Sequence, residues 1–497
     1  MKVLRPEQCV ISDGNPCSAC THDMELQQEI EEFEIRIEKR RRALRTAMNE
    51  NHDPFIHKFP PEIASQIFIQ YAPPSALFDE DERSTPLYLG AVCQKWRQLA
   101  WATPQLWSSS LIGFRANGRY STSNESDLLQ LVAEWLERAA SLRLTIRLDH
   151  TAHEVHGDGV YHDVINLLNK HSARWYDMHL DLPVRHLYRL CGSSQGNMLR
   201  RLTLHNHFHK TDLSTFSMKS KPSPTDLTLV SVGLPHVDII WNNLTVASVD
   251  CIGVDECFEL IRRAPLLENF SLRGIHGTSR LFPIPNTTIV LPHLHSLELL
   301  NSEVAKILDS VCLPSLKQFH VDSSSFPLHS MIKFIGCISS HLKILKMSTH
   351  NLHDENQLRT LLSPLSSLEF LELRDYKSPG EKFFRVLCAS AQSPLFLPRL
   401  QCLELTSASS KWECVFQIFA ISHRQSLRVK VNSLYGCIGD EALERFLELD
   451  DRGFDLSIVH GKTDLLQKYR EESFLRDIFD PGELGFIINY NLIQIRD

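Results

Sequence analysis

The chain has 497 residues, 43% of them hydrophobic and 23% charged, a globular balance that allows two to four folding units of about 150 residues each. Its net charge of −8 excludes a general nucleic-acid binder, and no apolar run reaches the roughly 18 residues needed to cross a bilayer. The 13 cysteines lack a spaced framework and read as reduced thiols; the N-terminus lacks the layout of a signal peptide, so the expected location is cytoplasmic and/or nuclear.

Residues 1–23 are polar, carry Gly14 and Pro16, show no periodicity and read as a flexible tail. Cys17 and Cys20, with Cys9 and His22 nearby, offer four metal-ligating groups, but a lone Cys-x-x-Cys without a second ligand knuckle is weak support for zinc, and no metal is expected. From Met24 the pattern changes. Leu26, Ile30, Phe33 and Ile37 recur at alternating steps of four and three, Leu44 continues the register, and Arg40 interrupts it. This predicts a short coiled-coil helix within 24–57, acidic at its start and basic from Lys39 to Arg42, as the helix dipole favours. Its seam either forms a weak homodimer through 24–48 or packs back on the segment that follows.

Phe59, Pro60, Pro61 and Glu62 then open a second helix. Proline suits the first helical turn, where its missing N–H has no partner, and Glu62 meets the positive end of the dipole. Ile63, Ala64, Ile67, Phe68 and Tyr71 make one broad apolar face, and Pro73 and Pro74 end the helix. An acidic loop over 73–85 follows. Residues 86–104 read as one more helix, with Leu89, Val92, Cys93, Trp96, Leu99 and Ala100 on its apolar face and Pro104 at its end. Two such short helices cannot supply a full core alone.

These two half-motifs, Phe59-Pro60-Pro61-Glu62-Ile63 with Ile67-Phe68, then Val92-Cys93-x-x-Trp96-x-x-Leu99, resemble the F-box. The family pattern opens on Leu-Pro-x-Glu-Ile, so Phe59 stands where leucine is usual, and the acidic loop is longer than the common form. Similar insertions occur in the F-box-like families of mushroom-type fungi, which also often carry a short coiled coil before the box and a segment like Thr103-Pro104-Gln105-Leu106-Trp107 after it. The resemblance covers 24–113, with the box itself at 58–113. It implies that Phe59, Pro60, Pro61, Glu62, Ile63, Ile67, Phe68, Val92, Cys93, Trp96 and Leu99 dock on the Skp-family adaptor of a ubiquitin ligase and, through it, on a cullin.

Beyond residue 113 helical and strand patterns alternate. The segments beginning at Leu199, Leu267, Leu294, Leu316, Leu342, Leu368 and Leu400 share the cadence apolar, two residues, apolar, one residue, apolar; the one at Leu244 is a weaker member. The cadence resembles that of leucine-rich repeats. The second and third apolar positions, such as Leu297 with Leu299 and Leu371 with Leu373, should enter a shared core, with helices returning the chain. The asparagine or cysteine usual three residues after the last strand leucine is replaced by Ile275, Ser302, His350, Tyr376 and Ala408, so an irregular array is expected. The expected fold is therefore α/β: an N-terminal helix and F-box-like helical hairpin, then an irregular leucine-rich-repeat solenoid over 114–497 with a C-terminal cap. The alternative is an ordinary α/β domain with parallel strands.

Glu298, Glu372 and Glu404 each sit between the core leucines of their strand and are expected to line up as an outward acidic row that docks a basic protein substrate. Other patterns suggest chemistry more weakly. Gly192-Ser193-Ser194-Gln195-Gly196 matches the Gly-x-Ser-x-Gly elbow with Ser194 as nucleophile, but the order around it is helix then strand, the reverse of what the elbow needs. His153-Glu154-Val155-His156 falls one residue short of a zinc helix, and His205, His207 and His209 alternate along one strand. The expectation is a non-enzymatic receptor subunit without cofactor, metal, nucleic-acid or membrane partner; the alternatives are a repeat scaffold with no ligase role and, remotely, a serine hydrolase.

Overall fold

The computed structural model describes residues 17–52, 58–72, 86–114, 125–150, 158–182, 184–206, 215–275, 277–300, 303–323, 327–348, 355–375, 393, 395–407, 416, 426–433, 440–460 and 463–478. The chain forms two compact units, Met1–Tyr176 and Asp177–Asp497. The boundary expected after residue 113 falls inside the first of them. The chain is mixed α/β with a large, mostly parallel sheet and, among the described residues, no closed barrel.

In the first unit α1 (Ser18–His52) starts six residues before the predicted helix, so the last part of the expected tail is helical. The helix α2 (Pro61–Tyr71) begins with Pro61 in its first turn and Glu62 beside it, as the dipole and proline arguments require. The single helix expected over 86–104 is instead two, α3 (Pro86–Val92) and α4 (Gln94–Trp101). Cys93 divides them: its backbone is extended (φ −157°), and its Sγ accepts the Trp96 backbone N–H at 3.4 Å, capping α4. Gly90 is also required here, because a Cβ at that position would overlap the Trp101 ring.

After a 3-10 turn at Pro104–Trp107 come β1 (Ser109–Phe114), α5 (Glu125–Arg138), β2 (Leu144–His150) and α6 (Asp158–Lys170), with β1 and β2 parallel. Trp107 explains why the first unit extends past the hairpin. It is fully buried, meets Trp101 edge-on at 5.3 Å and Trp135 of α5 at 4.9 Å, and donates Nε1–H to the Ala100 carbonyl at 2.8 Å. Arg138 lies over both Trp101 (4.5 Å) and Trp107 (4.8 Å), and Trp135 Nε1–H donates to the Ser109 carbonyl. The hairpin and α5 thus share one aromatic core.

In the second unit the strands of the large sheet each lie parallel beside the next of them along the chain: β3 (Trp175–Asp181, at the division), β4 (Arg201–His205), β5 (Asp226–Val230), β6 (Val246–Asp250), β7 (Asn269–Arg273), β8 (Ser296–Leu300), β9 (Gln318–Asp322), β10 (Ile344–Ser348), β11 (Phe370–Asp375), β12 (Cys402–Ser407), β13 (Arg428–Ser433) and β14 (Leu456–His460). Among the described residues, β15 (Thr463–Asp464), beside β14, is the one antiparallel strand. The cadence explains the register. Leu297 and Leu299 pair with Phe319 and Val321, which pair with Leu345 and Met347, then Leu371 and Leu373, then Leu403 and Leu405, all buried. The leading leucines 244, 267, 294, 316, 342 and 368 are fully buried as well.

The weak member at Leu244 is thus a full one, and β5 is a further strand that does not share the cadence. Helices α7 (Val254–Arg263), α8 (Val304–Ser310), α9 (Leu328–Ile338) and α10 (Glu355–Leu362) return the chain against the leucine face; Phe334 of α9 meets Phe319 of β9 at 5.2 Å. Of the five positions where an asparagine or cysteine would be usual, Ile275 is buried and the other four lie outside the described residues.

Candidate functional site

The hairpin divides the apolar face of α2 into two stripes. Ala64, Phe68 and Ala72 point inward, and Phe68 packs on Trp96 with ring centroids 4.8 Å apart. Phe59, Ile63, Ile67 and Tyr71, at successive steps of four, are 45%, 47%, 40% and 52% exposed. On α3, Tyr88 and Val92 are exposed at the same spacing, while Leu89 between them is buried. A helix side that already has a packed core behind it therefore also carries a row of large apolar groups in water, the usual mark of a docking surface.

Several expected docking residues fit this surface: Phe59, Ile63, Ile67 and Val92 are exposed, as are Pro60, Pro61 and Glu62 at the entry to α2. Phe68 and Cys93 do not. Both are buried, because Phe68 is the inward neighbour of Trp96 and Cys93 caps α4, so they hold the hairpin together. Trp96 and Leu99 are half-buried. Tyr88 was missed; its signal is the step of four to Val92. The seam residues of α1 (Leu26, Ile30, Phe33, Ile37 and Leu44) are all exposed, while α1 also contacts α4 of the hairpin.

The second candidate is the open face of the large sheet, opposite its leucines. The expected acidic row takes a different form. Register places one outward residue per strand in the order Ser271, Glu298, His320, Lys346, Glu372, Glu404, Lys430. Glu298 and Glu372 are thus separated by a histidine and a lysine, which occupy the same position of their own repeats. Each glutamate is partnered: Glu298 accepts from Ser271 (2.7 Å) and contacts His320 Nδ1 (2.7 Å), Glu372 pairs with Arg374 (2.5 Å) and Lys346 (3.1 Å), and Glu404 pairs with Lys430 (3.1 Å) and Asn432 (2.7 Å). The row is thus mixed in charge: Glu372 and Glu404 remain direct neighbours, a costly arrangement for like charges, and each is offset by a cation on its other side, Lys346 and Lys430.

Burial tends to raise the carboxyls of Glu298 and Glu372, but hydrogen bonds and the charges of their partners outweigh it and hold both below the ordinary range. Glu372 is 4% exposed and neutralises two cations. Glu372→Gln should therefore lower stability by about 2 kcal/mol, less than for a fully buried pair because Lys346 and Arg374 reach water. A depressed carboxyl contributes above its unfolded value and loses that contribution as pH falls through the folded one. The difference between wild type and variant in urea should accordingly be full at pH 7 and vanish in acid. A difference unchanged by acid would assign the loss to packing.

The catalytic patterns find little geometry. Ser194 lies in a turn after the short helix Val184–Leu187 and before β4, the order already noted, and its Oγ accepts the Gly196 N–H at 3.2 Å. Cys17 and Cys20 stand one helical turn apart, Sγ to Sγ 3.7 Å, and among the described residues no group of three or more His, Cys, Asp or Glu is arranged to hold a metal. His205 lies 3.7 Å from Asp181; His207, His209, Cys9 and 153–156 lie outside the described residues. Among the described residues no helix is long and apolar enough to cross a membrane. Set against known proteins, the chain matches no family model and no curated protein.

Proposed function

We propose that the chain is a receptor subunit that joins two proteins: its F-box-like hairpin docks on a Skp-family adaptor and through it a cullin, and a leucine-rich-repeat solenoid behind it holds a protein substrate for ubiquitin transfer. The observation that carries this reading is the exposed row Phe59, Ile63, Ile67 and Tyr71 on a helix whose opposite side is already packed. Water contact with four large apolar groups is unfavourable by about 25 cal/mol per Å² and is relieved only by a partner. The two-part sequence resemblance names that partner. The role is one of proximity: no side chain of this chain need act on a bond.

The test is capture of a purified Skp-family adaptor by the full chain and by Ile63→Asp with Ile67→Asp. Both positions are exposed, so the fold should survive. Central apolar anchors contribute about 2 kcal/mol each, so the double change should weaken capture by a hundredfold or more. If the wild-type chain captures no adaptor at micromolar concentration, the ligase reading fails and a repeat scaffold is left.

A further inference from the structure

Helix α1 runs unbroken over 35 residues, and its apolar seam lies in water from Leu26 to Leu44. In heptad terms Ile30, Ile37 and Leu44 take the a positions, and Leu26, Phe33 and the interrupting Arg40 take the d positions. One heptad earlier the same seam holds Asp23 at a and Ala19 at d. Although α1 touches α4, all of these side chains stay exposed. Among the described residues, the side chains of Asp23 and Arg40 form no ion pair or hydrogen bond. The seam thus holds one unanswered acid and one unanswered base.

Their placement distinguishes the two ways in which a second α1 could lie on this seam. A parallel copy would set Asp23 against Asp23 and Arg40 against Arg40, and at the flanking g and e positions Glu29 against Glu34 and Arg36 against Arg41. Every one of these pairs is repulsive, and those inside the seam would also lose hydration. In an antiparallel pair a meets d. With the two-fold axis between Glu31 and Glu32, Asp23 meets Arg40, Leu26 meets Ile37, Ile30 meets Phe33 and Ala19 meets Leu44, each twice by symmetry. At the flank Glu29 meets Arg36, whose guanidinium lies over its own Phe33 ring at 5.1 Å and so already borders the seam. Sliding the partner by a heptad in one direction sets Arg40 against Ile30, and in the other carries Arg40 past the start of the helix at Ser18.

We propose that two copies of this chain join through antiparallel α1 helices, with Asp23 and Arg40 as the reciprocal pair that sets orientation and register. The occupant of the seam is a second copy because one helix carries both halves of the complement: its acidic first half fits the basic second half of the same sequence reversed. The contact is isologous and closes at two chains. A single polar position inside an apolar seam lowers stability and in return excludes other registers, which is the role the Asp23–Arg40 pair takes here. The pairing does not depend on adaptor docking, which is read on α2 and α3.

Sedimentation equilibrium of the full chain tests it. The wild type should show a monomer–dimer equilibrium between micromolar and submillimolar concentration. Asp23→Arg alone, or Arg40→Asp alone, should weaken the dimer by about tenfold or more, because each change sets like charges together at both seam sites. Asp23→Arg with Arg40→Asp in one chain should restore it, since the pair re-forms with its charges exchanged. A parallel dimer gives a different pattern: each site faces its own copy, so like meets like in the wild type, in both single variants and in the double variant. Ile30→Asp with Ile37→Asp should abolish the dimer, while Ile63→Asp with Ile67→Asp on the hairpin should leave it intact. Circular dichroism and the melting temperature report whether each variant is folded. A monomer at every concentration overturns the proposal and leaves the seam to a helix of another protein. Single variants as dimeric as the wild type, or a double variant without rescue, overturn it too, as does a dimer lost with Ile63 and Ile67. Adaptor capture measured on the same samples separates these outcomes from failure of the receptor reading.

Discussion

Replacing Trp107 with alanine should cost the first unit about 4 kcal/mol, the range found when a fully buried aromatic is emptied from a core. The ring is flanked edge-on by Trp101 and Trp135 and covered by Arg138, and its Nε1–H is bound to the Ala100 carbonyl. Truncation therefore removes packing, a cation–π contact and a hydrogen bond together. It also loosens α5 from the hairpin. Urea unfolding followed by tryptophan fluorescence should show an early transition for this unit. Adaptor capture should fall with it, in contrast to Ile63→Asp with Ile67→Asp, which should lose capture at full stability. A loss under about 1 kcal/mol would mean that the aromatic cluster is not the core of this unit.

Asp255→Ala should release the segment 279–282 from α7. Asp255 has no solvent exposure, and it accepts from the Ser279 N–H and Oγ–H at 2.6 Å, from the Leu281 N–H at 3.0 Å and from the Phe282 N–H at 3.1 Å. Alanine leaves these donors without their carboxylate, for an expected loss of about 3 kcal/mol. Amide hydrogen exchange is the direct measurement: protection at Ser279, Leu281 and Phe282 should collapse while that of β8 and β9 persists. Burial works to raise the Asp255 carboxyl, but the hydrogen bonds from Ser279 and Phe282 win and hold it below its ordinary value. Its contribution should thus be full at neutral pH and disappear as pH falls through the folded value in strong acid. Protection of 279–282 retained in the alanine variant would show that Arg263, which lies 5.5 Å from the Phe282 ring, is the anchor instead.

The strand cadence was legible because it is local. Leu297 and Leu299, or Leu371 and Leu373, alternate within five residues, and burial follows from that period alone. The same holds for the start of α2 at Pro61, which depends on one ring and one carboxylate near a helix end. Strand β5 escaped because Leu227 and Leu229 lack the leading leucine in step, although their burial is the same.

Tertiary structure decided the rest, wherever a residue's role depends on what lies across from it. Phe68 and Ile67 are adjacent and equally apolar, and only the position of Trp96 makes one internal and leaves the other in water. The break at Cys93 depends on a thiol capping the following helix, which helical spacing cannot reveal. The three glutamates shared a position in their repeats, but the register set His320 and Lys346 between Glu298 and Glu372 and left only Glu372 and Glu404 as neighbours, so the expected acidic row is interrupted. The sequence determined periods, caps and the two halves of the hairpin motif, since these rest on neighbours within a few residues. Which charges are paired, and which apolar groups are left for a partner, was decided by packing between segments far apart in the chain.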